Sequence, residues 1–559
     1  MELSHLCKAH VVLPSIAITI LLWFLKSIKV SHHEKLLKSS PSVGLGTTWL
    51  SWPFALLKSL TRTRELVFQG YSDFSKSNRF FVLPTIDRGG LLVIPPRQIK
   101  RLYGLPEDVL DVKTTGNNTI QTRWTVWDDE VAENNFQMNV IRHQITRNLN
   151  ILTPPIAEEL AKGFDREWGT DTKSWKTISV WTSALRLIAG AANGAFCGAP
   201  LCRNEDFLTR LRDHAMCVFA GALIINSTPG PIRWISGYLI GWTSYFLFLR
   251  VCRVCLPFVK QRLENTAKLR LDPTFPWTPP EDGLQWIIDE CYATNEPAQL
   301  DPVRVTHRLV FMNDISMHST SYTVQNVILD LAAADPSLGH IESLREESAR
   351  VLKEAGGSWT RQAVTKLKLV DSVVRESMHL SPFNSVGLPR TVIDPHGVTV
   401  QQGESIWNIP QGTILTIPVE PIHYDDSIYP GAKQFQPFRF AQPGAVRDIV
   451  DHAVEASASE SGHETMAKGL APSTPGFNSE QKQSATIDDA FLGFGFGKHA
   501  CPGRFFALNE VKIFVAHMVL HYDIEHLKEG RARMTPLIWL NIPLFNNINV
   551  RVRRREPVY

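Results

Sequence analysis

From about residue 128 to about 380 the chain reads as one long helical region, interrupted by turns rich in Pro, Gly and Ser. The pattern differs on either side of it. Residues 79–96 read as short strands around a turn: RFFVLP, then Asp87-Arg88-Gly89-Gly90, then LLVIPP. From about 386 to 420, short β-rich runs (VTV, TILTIPV) are separated by Gly and Pro. The pattern predicts a mostly α fold with minor β, with a small sheet region at each end of the helical body. Four helices are sharp enough to place: Gln137 to Leu152, residues 301 to 334, Lys366 to Leu380 and Arg504 to His521. The second has the clearest start, with Asp301 as N-cap and Pro302 at the first helical position.

Three stretches stand outside this body. Val11 to Leu25 (VVLPSIAITILLWFL) is close to the ~20 apolar residues that span a bilayer, with His10 and Ile28 extending it. Trp23, Phe24 and Leu25 occupy the place where small residues would mark a signal cleavage, so the segment reads as a retained anchor. Lys26, Lys29, Lys35 and Lys38 follow and hold that flank on the cytosolic side. Trp234 to Leu249 (WISGYLIGWTSYFLFL) is also apolar and is followed by Arg250, Arg253, Lys260 and Arg262. Ser236, Gly237, Gly241 and Thr243-Ser244 weaken a second span, so it reads as a segment dipping into lipid headgroups, with a buried helix as the other alternative. Residues 441–489 are rich in Ser, Ala, Glu and Gly and too poor in large apolar residues to order themselves well. The expected organisation is therefore an anchor (1–30), a Pro/Gly linker (31–46) and a single domain (47–559) carrying a surface insert at 441–489.

Composition changes this picture little. The chain has 559 residues, 44% of them hydrophobic, and a net charge of +3, which gives no pull toward nucleic acid. Eight cysteines in so long a chain argue against a disulfide framework and agree with a reducing compartment. Cys252 and Cys255 form a lone C-x-x-C in an apolar setting, which reads as packing rather than metal chemistry.

The chemistry concentrates at Phe494-Gly-Phe-Gly497-Lys-His499-Ala-Cys501-Pro-Gly503. A thiolate is an axial ligand that pushes electron density onto a haem iron and favours O–O cleavage. To stay ionised it needs backbone N–H donors and a helix N-terminus. Glycines at 495, 497 and 503 let the backbone bend around the sulfur, and Pro502 leads into the helix from Arg504. The segment resembles the haem-binding signature of the cytochrome P450 family, with Phe494, Gly497, His499, Cys501 and Gly503 in register.

The resemblance implies a cytochrome P450 fold, haem b as cofactor and Cys501 as ligand to its iron. The oxygen-activating helix of the family carries a small residue, an acid and a hydroxyl. Ser316, His318 and Ser319 take these places, followed by Thr320, and a histidine with its ordinary pKa of ~6.5 suits proton transfer near neutrality. The family's Glu-x-x-Arg appears as Glu376-Ser-Met-His379, with the later arginine present as Arg439 in Phe435-Gln-Pro-Phe-Arg439-Phe. Histidine for arginine predicts a weaker buried charge network. Arg390 matches a haem-propionate ligand, and Arg142, His143 and Arg147 are candidates from the other side. Gln69-Gly70-Tyr71, Ile94-Pro95-Pro96, Leu105 to Asp108 and His423-Tyr424-Asp425 extend the resemblance over most of the chain from about residue 40.

The members it resembles are fungal membrane-bound enzymes of secondary metabolism, similar to diterpenoid oxidases. That implies a monooxygenase of the endoplasmic reticulum membrane, single-pass, with its catalytic domain in the cytosol. It would take electrons from NADPH through NADPH-cytochrome P450 reductase and act on a lipophilic small molecule, a terpenoid by resemblance. Desaturation, ring closure or rearrangement at the same centre is the alternative chemistry, and a haem protein impaired at His379 the alternative state. Specificity is expected from Val218 to Ile225, Asp314 to Thr320, Phe383 to Gly387 and Pro536 to Pro543.

Overall fold

The computed structural model describes residues 40–46, 51–402, 405–441, 483–531, 536–541 and 548–556. The expected anchor, most of the linker and residues 442–482 of the insert lie outside them. The elements that position the site are helices α1 (Ser51–Asp73), α2 (Leu149–Glu167), α3 (Val180–Phe196), α4 (Glu205–Ser227), α5 (Arg233–Leu271), α6 (Pro302–Ala333), α7 (Lys368–Leu380), α8 (Val419–His423) and α9 (Arg504–His521). Mostly helix with minor strand is what the sequence pattern predicts.

Helix α6 is the axis of the body. Its start follows the sequence reading: the Asp301 carboxylate accepts from the N–H groups of Val303 and Arg304, both at 3.0 Å. At ~1.5 Å per residue its 32 residues cross the whole domain. Val305, Leu309, Met312, Met317, Tyr322, Val327 and Leu331 are all buried, so apolar groups leave it on every side. It packs against α3, α4, α5, α7 and α9 within one hydrophobic core.

The strands correct the expected layout. The 79–96 region gives β1 (Phe81–Thr85) and β2 (Gly89–Val93), and β3 is Leu110–Asp111. The later region gives β5 (Gly387–Val392), β6 (Val398–Gln402), β7 (Ser405–Ile409) and β8 (Ile414–Ile417). The two regions do not form one sheet at each end. Strand β2 pairs in parallel with β8, giving one five-stranded sheet in the order β1-β2-β8-β5-β3. The reason is burial: Leu91, Leu92, Val93, Leu415 and Ile417 are covered on both faces, which a lone hairpin cannot achieve. A hairpin of β6 and β7 stands beside it, and β4 (Lys176–Ser179) joins β9 (Tyr522–Ile524) and β10 (Asn549–Arg554) in a three-stranded sheet.

Two helices also differ from expectation. The Gln137–Leu152 helix is broken: one α turn (Gln137–Asn139) passes into a π-helix (Val140–Ile145), and α2 begins only at Leu149. The Thr146 hydroxyl donates to the carbonyl of Ile141, five residues back, at 2.9 Å, which suits the wider turn. The Lys366–Leu380 helix is two helices, Arg361–Lys366 and α7, separated by Leu367 at φ −74°, ψ 85°. Its N-terminus is satisfied from a distance, because the N–H groups of Lys368, Leu369 and Val370 all donate to the Glu347 carboxylate at 2.8–3.0 Å.

The Trp234–Leu249 segment is the first part of α5. Gly237 and Gly241 face inward, where a Cβ at Gly237 would lie 2.6 Å from the Trp124 ring. Trp234, Leu239, Trp242 and Phe246 face outward and are each more than half exposed. A buried core helix is therefore excluded for this stretch. Cys252 and Cys255 are buried, free and unclustered with other metal-binding side chains among the described residues, in agreement with packing.

Candidate active site

A cavity of about 370 Å³ opens beneath α6. Its ceiling is Ser319, Thr320 and Thr323; its floor is Gly493 to Gly495, Cys501 and the first turns of α9 at Ala507, Leu508 and Val511. The side walls include Phe383, Asn384 and Leu388. Cys501 is set deep in the chain but open to this space.

The loop below the cavity is built by its backbone. The Cys501 N–H donates to the Phe494 carbonyl at 2.8 Å, and the Gly495 N–H donates to the Leu492 carbonyl at 3.0 Å. Gly495 holds φ +81° and Gly497 φ +68°, a region that side-chain-bearing residues avoid. Burial pushes the Cys501 thiol up, while the N–H groups of Gly503 and Arg504 and the Arg504 guanidinium pull it back down. A bound metal cation completes that ionisation.

The residues present fit a haem. A largely apolar cavity lies between α6 and α9, with Cys501 on its floor. Two residues beyond the cavity-lining Leu388 is Arg390, which is buried, lies over the Tyr103 ring and donates to the Pro389 carbonyl at 3.0 Å. Asp111 and Glu107 favour its charge, but among the described residues neither forms an ion pair with it, so a propionate would supply the direct partner. Leu388, at φ +58°, turns the strand at a bulge next to Arg390, and the Tyr103 hydroxyl donates to the Leu388 carbonyl at 2.5 Å. Arg142 and Arg390 both act on the charge of His499, whose ring burial holds below its ordinary pKa. Arg142, His143 and Arg147 are all exposed, and none of them is among the residues that line the cavity. His499 lines the cavity and pairs with Glu107 at 3.3 Å.

The hydroxyl run of α6 behaves as its composition suggests. Ser316 donates to Asn313 O, Thr320 to Ser316 O, Ser321 to Met317 O and Thr323 to Ser319 O, at 2.8–3.2 Å. Ser319 is the hydroxyl of this run that makes no such back-bond, and it faces the cavity. His318 does not join it. Its ring stacks on Trp181 and meets Phe219 edge-on, and it is not among the residues that line the cavity. Burial lowers its pKa to about 4, so the ring is neutral at working pH and its Nε2 has no partner. Helical geometry explains the correction: successive residues turn by about 100°, so neighbours of a cavity-facing serine point elsewhere. Asp314 is likewise buried against His214, at 3.1 Å, and does not line the cavity.

Behind the floor lies the charge network. Glu376 Oε2 accepts from Arg439 Nε at 2.9 Å and Oε1 from Arg439 Nη2 at 3.3 Å, a bidentate pair. Oε1 also accepts from the Gln436 N–H at 2.8 Å. Arg439 further donates to the carbonyls of Pro430, Gly431 and Gln434. His379 Nδ1 lies 3.5 Å from Glu376, and its Nε2 donates to the His423 carbonyl at 2.6 Å. Glu376 is thus held by Arg439 and the Gln436 N–H, while His379 Nδ1 has no hydrogen-bond partner among the described residues. Tyr103, Met378, Val419 and His423 belong to the site's walls or supports but carried no sequence signal of function beyond the His423-Tyr424-Asp425 match.

Two of the expected specificity segments meet at the cavity wall. Asn541 donates to Phe383 O and Pro382 O, and the Ser385 N–H donates to Trp539 O. Trp539 is in turn fixed through its Nε1 to Asp87 at 2.6 Å. These bonds hold the C-terminal loop against the 383–387 wall.

Comparison with known proteins supports the same assignment. A family model described as Cytochrome P450 matches residues 260–455 and 475–544. Cytochrome P450 monooxygenase okaG of Penicillium ochrochloron is 42% identical over 519 residues, covering 92% of this chain and 94% of that protein. Cytochrome P450 monooxygenase htyF of Aspergillus rugulosus is 33% identical, covering 95% of this chain and 74% of that protein. Cytochrome P450 monooxygenase gloP of Glarea lozoyensis is 32% identical, covering 91% of each.

Proposed function

The chain belongs to the cytochrome P450 family of monooxygenases, and on that premise we propose that it oxidises a lipophilic fungal secondary metabolite, of terpenoid class, with electrons from NADPH delivered by a reductase. The observation that carries the reading is Cys501, open to a largely apolar cavity roofed by Ser319 and Thr320.

Haem b, when bound, supplies oxygen activation; the chain supplies its seat and its protons. Cys501 is the ligand on the floor, and Phe494 and Leu508 keep water from its sulfur. Arg390, with His499 beside it, would hold a propionate of the haem. Ser319 Oγ, free of helix back-bonding, passes a proton into the cavity, and Thr320 stands beside it. His318, packed against Trp181 and Phe219, takes no proton in this relay. The bidentate Glu376–Arg439 pair argues for an intact cofactor site in spite of His379.

By length and composition one described helix, Gly230–Leu271, could cross a membrane. Its exposed Trp234, Leu239, Trp242 and Phe246 suit immersion at the surface of the endoplasmic reticulum, with the domain in the cytosol and 1–30 as anchor. The test is expression in membranes with a reductase. A thiolate-type Soret band with carbon monoxide, and label from dioxygen in the product, are expected. A product formed without label would replace oxygen insertion by desaturation or rearrangement.

A further inference from the structure

The loop that carries Cys501 is tied to the charge network through a second histidine. His379, on α7, and His423, at the end of α8, exchange hydrogen bonds: His379 Nε2 lies 2.6 Å from the His423 carbonyl, and His423 Nδ1 lies 3.1 Å from the His379 carbonyl. Carbonyl oxygens only accept, so both ring nitrogens donate. The other nitrogen of His423, Nε2, faces the N–H of Leu492 at 3.0 Å and must therefore accept. This fixes His423 as the neutral Nδ1–H tautomer. Its surroundings agree, because burial first, then His379 and Arg375, hold its pKa well below the ordinary value.

From Leu492 the backbone carries the connection onward. The Leu492 carbonyl accepts from Gly495 and the Phe494 carbonyl from Cys501. Three bonds in sequence thus join the His423 ring to the amide of the cysteine. The ring also lies parallel to Phe491, with centroids 5.5 Å apart and planes 4° apart, so its orientation is fixed by packing as well. Both histidines are fully buried, which leaves no water to replace either bond.

We propose that His379 and His423 form a reciprocal bracket that positions the thiolate loop, with His423 as the positioning residue for Cys501 and His379 as its anchor on α7, the helix that also carries Glu376. The proposal rests on Cys501 being the haem ligand. It explains how a chain with histidine in place of the family's arginine keeps its network joined to the loop. An arginine would hold its place by charge, whereas His379 holds by one short bond to the backbone of α8.

Full-length protein in membranes with three substitutions tests this. His423→Phe keeps the ring shape and the Phe491 stack but removes both bonds. His423→Gln reaches the Leu492 N–H with its carbonyl, and His423→Asn reaches only the His379 side. The expected order is wild type, then Gln, with Asn and Phe together at the bottom. Phe and Asn should release haem to a scavenger protein roughly ten- to hundredfold faster. They should also shift the carbon-monoxide band from thiolate toward thiol type. Val67→Ala, in a separate cluster beside β1, serves as a variant of lowered stability that should leave both readouts unmoved. Hydrogen exchange at the Leu492 amide reads the bracket directly, with or without haem, and should accelerate in Phe and Asn but not in Gln. Phe and Asn variants with wild-type haem release, band position and Leu492 exchange would overturn the bracket. Absence of any thiolate-type band in the unaltered protein would overturn the ligand reading instead, while accelerated Leu492 exchange in Phe and Asn would still support the bracket.

Discussion

Replacing Arg439 by lysine keeps a positive charge but removes the planar fork, and the structure allows the effect to be sized. Arg439 makes five hydrogen bonds: two to Glu376 and three to the carbonyls of Pro430, Gly431 and Gln434. A lysine ammonium is a point donor that cannot reach both carboxylate oxygens and three carbonyls spread around the fork. At least two buried acceptors then lose a donor, at about 1 kcal/mol for a carbonyl and about 1.5–3 kcal/mol for a bond to a charged group. Glu376 is fully buried, so its loss is at the upper end. The expected destabilisation is about 3–5 kcal/mol, the range for breaking a buried pair from one side. Against a typical total of about 5–15 kcal/mol, most of the Arg439→Lys protein should fail to retain haem. Glu376→Gln, alone and combined with Arg439→Lys, completes a double-mutant cycle read by urea denaturation followed through the haem absorbance. Additive effects in that cycle, with a coupling under about 0.5 kcal/mol, would refute the claim that these two residues act as one unit.

Ser319→Ala should leave haem binding intact but divert reducing equivalents to hydrogen peroxide and lower product formation by roughly tenfold or more, whereas Thr320→Ala, whose hydroxyl is engaged with Ser316 O, should do so less; NADPH, oxygen and product are counted together. Equal coupling in Ser319→Ala and wild type would remove that serine from the relay. His318→Phe should preserve coupling, because the ring lies outside the cavity. It should also flatten the acid limb of stability. His318 has its folded pKa lowered to about 4 from an unfolded ~6.5, so the unfolded chain binds more protons between those values. Its contribution is complete above the unfolded pKa and falls away as pH drops through that window, by about 3 kcal/mol near pH 4. A denaturant midpoint that drops equally steeply in variant and wild type from pH 7 to pH 4 would contradict this. Arg390→Leu should raise the haem dissociation rate and, by removing a buried charge that lacks a direct ion pair among the described residues, leave the haem-free protein at least as stable; a loss of haem-free stability above about 1 kcal/mol would count against the propionate role.

Much of this site was legible in the sequence where the signal was local. The loop from Phe494 to Gly503 and the cap at Asp301 each depend on neighbours a few residues away, and each stands in the structure where the sequence placed it. The start of α7 was misplaced because its cap comes from Glu347, some twenty residues upstream, through a carboxylate that no helix-start rule inspects. The break inside residues 137–152 was hidden for another reason. A π turn keeps the same apolar residues, and only the Thr146 bond to Ile141 marks the extra one. The pairing of β2 with β8 joins residues more than three hundred positions apart, and nothing in either strand's own pattern names its partner.

His318 and His379 show how far motif register and side-chain chemistry each carry for the same residue type. Motif register assigned His318 an acid's place, but register says nothing about which side of a helix turns inward. Trp181 and Phe219 decide that, and they bury the ring where a proton is hard to hold. His379 was read by its chemistry, as a weaker donor than arginine, and its 3.5 Å separation from Glu376 agrees. What the sequence could not supply was the compensation. The bond to the His423 backbone and the return bond from the His423 ring arise only when α7 and α8 lie side by side. A substitution that looks like a loss in one motif is thus met by a partner in another, and the two have to be judged together.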